Sequence, residues 1–342
     1  MTLKSIIGHN KIKEILISSY KAKRFHHGLL FTGKEGIGKK TLAKEIAKLF
    51  NCTSSEKYKI WDACDNCKNC KAIEKGIHPD VKIVTGDENK QTIGVDTIRE
   101  LREFVLLKPY MGEYKVIIID NAHTLTVQAQ NGFLKTLEEP PLDTLIILVT
   151  HKEYVLLPTI ISRTQRIVFH SLEPDEVKTV LKRIYPEKED SILEVVSYLC
   201  EGSPGRAKGF IESEPEEILK YSSRILGFLT KGELEQALII TEELNNLDWD
   251  RTKLKLLIDT ILILLFEFYI KENKDLIKLL ERYFEIGLED ILKGEAPKEK
   301  LLEIIKSLNQ ASVMLEFTAT NWRLMLEDLL LKSKTLFKGD RQ

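Results

Sequence analysis

At 342 residues the chain is long enough for two or three domains. Its composition, 43% apolar and 30% charged, excludes wholesale disorder, because that much apolar surface can be buried in a core. Lys plus Arg number 51 against 52 Asp plus Glu, a net charge of −1 that argues against a generally basic nucleic-acid coat.

The charge is unevenly spread. Residues 1–50 carry 11 Lys/Arg against Glu14, Glu35 and Glu45, a local +8, so the remainder carries −9. That asymmetry points to something anionic near the N-terminal part. Residues 1–10 have no apolar core behind a basic cap, so no signal peptide is readable. The most apolar run, 256–270, holds Asp259 and Glu267 and is too short to span a bilayer. The expectation is a soluble, cytoplasmic protein with no membrane partner.

In chain order, 28–32 reads as a buried strand, 33–38 as a glycine loop and 39–50 as a helix. Further apolar strands are expected at 81–84, 116–119, 145–150 and 166–169; their unbroken Val/Ile/Leu character is that of strands covered on both faces. Between them, 95–107 keeps Ile98, Leu101 and Val105 on one helical stripe. A helix over 127–137 is stopped by Pro140 and Pro141. Strands alternating with helices predict a parallel α/β sheet. After Phe169 the strand pattern ends. Residues 174–211 read as a small helical unit broken at Gly202-Ser203-Pro204-Gly205. From Pro215 onward everything reads as helix, with turn signals at Gly232, Asn245-Asn246 and 294–297. Leu301, Ile304, Ile305 and Leu308 recur on one helix face.

Gly33-Lys-Glu-Gly36-Ile-Gly38-Lys39 follows a strand and opens a helix, the context that identifies a phosphate-binding loop rather than a simple turn. Its glycines let backbone N–H groups face a phosphate, the helix N-terminus adds positive potential, and Lys39 supplies a charge. The pattern then needs a Ser or Thr to ligate Mg²⁺. Lys40 stands there instead, and Thr41 comes one residue late. A strand ending in Asp120 supplies the acid that supports Mg²⁺, but the next residue, normally the Glu that orients the attacking water, is Asn121. Two catalytic parts are therefore absent: hydrolysis is not expected, and ATP or ADP binding is left open.

Four of the five cysteines, Cys52, Cys64, Cys67 and Cys70, crowd into one polar stretch. Two consecutive C-x-x-C steps plus an upstream Cys suit a structural tetrahedral Zn²⁺. An iron–sulfur centre would want a downstream Cys-Pro, which is absent. Cys200, alone on an apolar stretch, reads as core.

With these residues go Ile7-Gly8-His9, His26-His27-Gly28, Asn131-Gly-Phe-Leu-Lys135-Thr-Leu-Glu-Glu-Pro140-Pro141 and Leu156-Leu-Pro-Thr-Ile-Ile-Ser162-Arg163. Together they make the chain resemble the delta-prime subunits of the bacterial DNA polymerase III clamp loader, in the AAA+ class, well over the first 210 residues and loosely beyond. Thr164 departs from the family's Ser-Arg-Cys motif and leaves its Arg in place. The resemblance implies an α/β domain over 1–169 with a zinc module at about 52–70, a helical lid at 170–212 and a helical collar at 213–342. It implies a subunit that hydrolyses no ATP itself, working with gamma/tau and delta subunits to place the sliding clamp on primed DNA. It also makes Arg163 an arginine finger for a neighbour's ATP, and puts Thr150 and Arg206 where the family has its two sensors. For Thr150 a local capping role is an equal alternative. Arg99 and Arg102 could meet DNA or form a solvated helix face. The rival readings are an active gamma/tau-type ATPase and a zinc-stabilised DNA-binding module.

Overall fold

The computed structural model describes residues 2–86, 92–231 and 298–317, most of 239–269, and positions 276, 278 and 280. The expected turns at Gly232, Asn245 and 294–297, and the last part of the collar, 318–342, lie outside the described residues. The chain divides into two compact units, Met1–Val180 with Gly202–Gly205, and Leu181–Glu201 with Arg206–Gln342.

The first unit is built on five parallel strands, β1 (Gly28–Thr32), β2 (Val81–Thr85), β3 (Lys115–Asp120), β4 (Thr144–Val149) and β5 (Gln165–Val168), in the order β2-β3-β4-β1-β5. Because side chains alternate along a strand, each strand feeds both faces of the sheet. Leu29, Phe31, Val116, Ile118, Leu145 and Ile147 pack on one side with Leu16 of α1 (Asn10–Lys21) and Leu42, Ile46 and Leu49 of α2 (Lys39–Asn51). Leu30, Ile117, Ile119, Ile146 and Leu148 pack on the other with residues of two later helices, α5 (Val95–Leu106) and α6 (Val127–Glu138). Each fully buried aliphatic side chain contributes roughly 1.5–3 kcal/mol. The central strands β1, β3 and β4 are thus covered on both faces as expected, whereas β2 and β5 are half-exposed. The reason is position: they are the edges of the sheet.

Between α2 and β2 lie two short helices, α3 (Lys57–Ile60) and α4 (Lys68–Glu74). Helix α6 is capped by Thr126, whose hydroxyl accepts the N–H of Ala129 at 3.1 Å. It ends at Glu138; Glu139, forced out of helical geometry by the following proline, has φ −127° and ψ 69°. A four-residue helix, α7 (Pro158–Ile161), precedes β5.

Asp80, fully buried just before β2, ties down the segment that leads into β3. Its carboxylate accepts the N–H groups of Tyr110 (2.8 Å), Met111 (2.6 Å) and Gly112 (2.7 Å) and pairs with Lys115 at 2.9 Å. Burial alone would raise its pKa, but these donors outweigh it and hold it at about 2. A depressed carboxylate pKa stabilises the fold above the unfolded value and loses that contribution as pH falls through the folded one, here between about pH 4 and pH 2, a term of about 2 kcal/mol. Asp80→Asn is therefore expected to be less stable than the parent at pH 7, with the gap in denaturant midpoint narrowing below pH 4. A gap that is constant with pH rejects this account.

In the second unit, the helices Asp190–Leu199, Pro215–Lys231, Arg251–Tyr269 and Lys298–Phe317 pack on one another. They bury Leu193, Val196, Ile218, Leu226, Leu257, Ile261 and Leu264. Ile304 and Leu308 of the expected stripe are buried and Ile305 is half-buried. Among the described residues no helix is long and apolar enough to cross a membrane.

Candidate functional site

Parallel strands end together, so the sheet gathers the ends of β1, β3 and β4 at one edge, where ligands bind in open α/β folds. The glycine loop leaves β1 there. Gly33 sits at φ 135°, and a Cβ on it would lie 2.4 Å from the Phe169 carbonyl oxygen; Gly38 caps α2 at φ 96°, in the left-handed region. The loop is pinned through its carbonyls. His9 Nε2 donates to Ile37 O at 2.8 Å, Ser203 Oγ to Glu35 O at 2.8 Å and Gly205 N–H to Gly36 O at 2.9 Å. Burial pushes the His9 pKa down, which keeps the ring neutral for this single donation. His9 and Ser203 thus join the site as loop clamps. Their signal in the sequence was only a family marker and a break between helices.

Lys39 is buried, and its ammonium folds back onto the loop's own carbonyls, Gly33 O at 2.7 Å and Lys34 O. Burial lowers its pKa to about 8, with Glu35 and Asp120 opposing. Lys40, one step round α2, reaches Asp120 Oδ2 at 2.9 Å and Thr85 Oγ1 at 3.0 Å. Thr41 is exposed. Asn121, at φ 53°, donates from Nδ2 to the Gly86 carbonyl at 3.0 Å. Thr150 is buried; its hydroxyl lies 3.0 Å from His123 Nδ1 and accepts the Lys152 N–H at 3.0 Å. The structure therefore brings Lys39, Lys40, Asp120 and Asn121 to one edge, with an ammonium on the only acid expected to support a metal.

Arg163 stands at the other edge of the sheet. It precedes β5, whose Gln165 lies beside Leu29 near the start of β1. About five residues of strand at roughly 3.3 Å each separate that end from the glycine loop, so Arg163 cannot reach a phosphate in its own loop. Its Nε donates to Glu138 Oε1 at 2.7 Å and its Nη1 to Thr159 O at 3.1 Å. Arg206, in the second unit, pairs with Glu201 and reaches Asp259 Oδ2 at 3.5 Å; Ser312 donates to the same Asp259 carboxylate at 2.6 Å. Arg99 is exposed and paired with Asp96 at 2.8 Å.

The four clustered cysteines converge: the Sγ atoms of Cys52, Cys64, Cys67 and Cys70 all lie within 4.8 Å of one another. The Cys67–Cys52 separation of 4.0 Å compares with the ~3.8 Å sulfur–sulfur edge of a tetrahedron with metal–sulfur bonds of about 2.3 Å. The backbone N–H of Cys67 donates to Cys64 Sγ at 3.3 Å and that of Cys70 to Cys67 Sγ at 3.4 Å. Burial would raise the Cys67 pKa, but hydrogen bonds from Cys70 and Thr53 bring it to about 6, whereas burial pushes Cys52 and Cys70 up. All-sulfur donors at this spacing fit a tetrahedral ion and leave no position for a substrate. Beside the knuckle lies an ion cluster, buried at Lys48 and Glu45 and exposed at Glu74, that spacing did not reveal. Lys48 of α2 meets Glu45 and Asp65, each at 3.0 Å, and Glu74 of α4.

Residues 8–173 match a family model described as "DNA polymerase III, delta subunit". DNA polymerase III subunit delta' of Escherichia coli is 33% identical over 204 residues, 59% of this chain and 59% of that protein. The delta' subunit of Bacillus subtilis is 36% identical over 168 residues, 49% of each. Subunit tau of Bacillus subtilis is 32% identical over 246 residues, 71% of this chain and 41% of that protein. The chain thus spans 41% to 59% of the length of these relatives. Among solved structures, a DNA polymerase III gamma subunit-related protein from Thermotoga maritima aligns with 94% of this chain and 99% of its own at 20% identity, with a TM-score of 0.45. Tau and delta' subunits both match. Residues 8–173 are thus similar to the family that this model describes, and parts of the chain are similar to delta' and tau subunits of DNA polymerase III.

Proposed function

We propose that this chain is a non-hydrolysing clamp-loader subunit that lends Arg163 to the ATP of an adjacent gamma/tau-type subunit and so helps place a sliding clamp on primed DNA. One observation carries the reading: Lys40 pairs with Asp120 at 2.9 Å, covering with a tethered ammonium the carboxylate that a working site keeps for magnesium. Asn121, tied to Gly86, offers no carboxylate to orient water. Gly33, Gly36, Gly38, Lys39 and Thr41 then form a vestigial loop, and Thr150 and Arg206 serve packing within their own units. The position of Arg163 before β5, remote from its own loop, suits a group that acts on a neighbour. On this reading 170–212 is a lid and 213–342 a collar that holds the ring together with gamma/tau and delta subunits.

Co-purification with a gamma/tau homologue, with ATP turnover compared between this chain alone and the mixture, tests the proposal. Turnover only in the mixture is expected. Turnover by the chain alone that Lys39→Ala abolishes would instead make it a gamma/tau-type ATPase.

The same reading assigns Cys52, Cys64, Cys67 and Cys70 to one structural Zn²⁺. When bound, the ion cross-links α4 to the end of α2 and takes no part in chemistry. Metal analysis of the purified chain should give one zinc per chain, and Cys67→Ser should lose it and lower the melting temperature. Iron, or no metal in the parent, contradicts the assignment.

A further inference from the structure

At the edge where the strands begin, the first unit holds a cavity of about 440 Å³, within the range of small-molecule sites. Trp61 and Tyr58 form one wall, edge to face with centroids 6.4 Å apart, and Tyr58 is 52% exposed. Trp61 has φ 53°, a region that a bulky side chain occupies only when its surroundings impose it. Lys21 places its ammonium 4.9 Å from the Trp61 ring centroid, and Lys23 lies on the same rim. The acid among the lining residues, Glu113, is paired with Lys57 at 2.9 Å, so the cavity presents net positive charge. The inner wall includes Thr144, a buried residue whose hydroxyl has no hydrogen-bond partner in the structure. That oxygen is closed off from the cavity, so a ligand there does not reach it.

Flat aromatic faces and a cationic rim are two chemistries that a nucleotide uses: stacking of its base and charge on its phosphate. An acidic peptide would satisfy the lysines alone. We propose that this cavity binds a nucleoside 5′-monophosphate unit, free or within a single strand, its base stacked on Tyr58 with Trp61 against its edge and its phosphate on Lys21 and Lys23. The site is separate from the glycine loop. Thr144 opens β4 and Val149 closes it, about 17 Å away at roughly 3.3 Å per residue. The inference does not depend on the clamp-loader role.

Calorimetric titration of the full chain with thymidine 5′-monophosphate, and separately with a ten-nucleotide oligothymidylate, tests it. Saturable binding of at least one probe is expected. Tyr58→Ala and Lys23→Ala, both at exposed side chains, should each weaken it about tenfold without shifting the melting temperature, while Lys39→Ala leaves it unchanged. Equal affinity per site for the two probes identifies a free nucleotide as the ligand, and binding of the oligomer alone identifies a strand. The proposal is overturned if neither probe binds up to millimolar concentration, if the Tyr58 and Lys23 variants bind like the parent, or if Lys39→Ala abolishes binding.

Discussion

Arg163→Ala is expected to leave this chain folded and to slow hydrolysis at the adjacent gamma/tau site of the reconstituted complex about 10³-fold or more, the scale at which an arginine finger acts. The guanidinium is partly exposed and lies outside the core, so its removal costs little stability. In the isolated chain its fork is held by Glu138, at the end of α6, and by the Thr159 carbonyl. Reaching a neighbour's γ-phosphate means exchanging one carboxylate for a more highly charged partner. Glu138→Gln weakens the resting grip and should therefore keep or raise turnover. Arg163→Lys should fail almost as badly as alanine, since a point charge cannot reproduce two parallel N–H donors. Single-turnover hydrolysis in complexes assembled with each variant reads all three. Parent-like rates with Arg163→Ala would remove the finger role and leave Arg163 as a local strut between α6 and β5.

Lys48→Met should destabilise the first unit by about 1–3 kcal/mol, because it deletes hydrogen bonds to three carboxylates and leaves the buried one, Glu45, to take up a proton without a partner. Lys48 is 1% exposed, and burial alone would favour loss of its proton; hydrogen bonds that it donates to three carboxylates override that and push its pKa up. Glu45, equally buried, has its pKa raised to about 7 by burial even with Lys48 beside it, and its Oε2 has no partner. Removing the ammonium leaves that group with no compensation. The double variant Lys48→Met/Glu45→Leu exchanges the inner pair for apolar volume and should recover most of the loss. Asp65 lies between the knuckle cysteines and Glu74 on α4, so Lys48→Met should also speed extraction of the metal by a chelator. Chemical denaturation of the three proteins measures the energy. Equal losses in the single and double variants would mean that packing, not charge, sets the role of Lys48.

The elements that repeat a local pattern were legible in the sequence. Apolar runs placed the five strands to within a residue or two, Pro140 ends α6 as proline chemistry requires, and cysteine spacing identified the four cysteines that converge. What stayed hidden is the choice of partner made by long charged side chains. Lys40 read as a residue standing where a magnesium-ligating hydroxyl is needed, yet nothing near it in the chain announces Asp120, which an intervening strand order delivers to it. Glu138 stands 25 residues from Arg163, and Asp80 about 30 from the amides it accepts. Such pairings are properties of the sheet order β2-β3-β4-β1-β5, and a window of neighbouring residues carries no record of them.

The Lys40–Asp120 contact has one more consequence. A dissolved ion arrives with its nucleotide and departs with the product, so an ordinary phosphate loop changes its charge at every turnover. Here the cation is part of the polypeptide and cannot leave with a product. If the chain is the non-hydrolysing subunit proposed above, its loop edge carries the same charge whether or not magnesium is present.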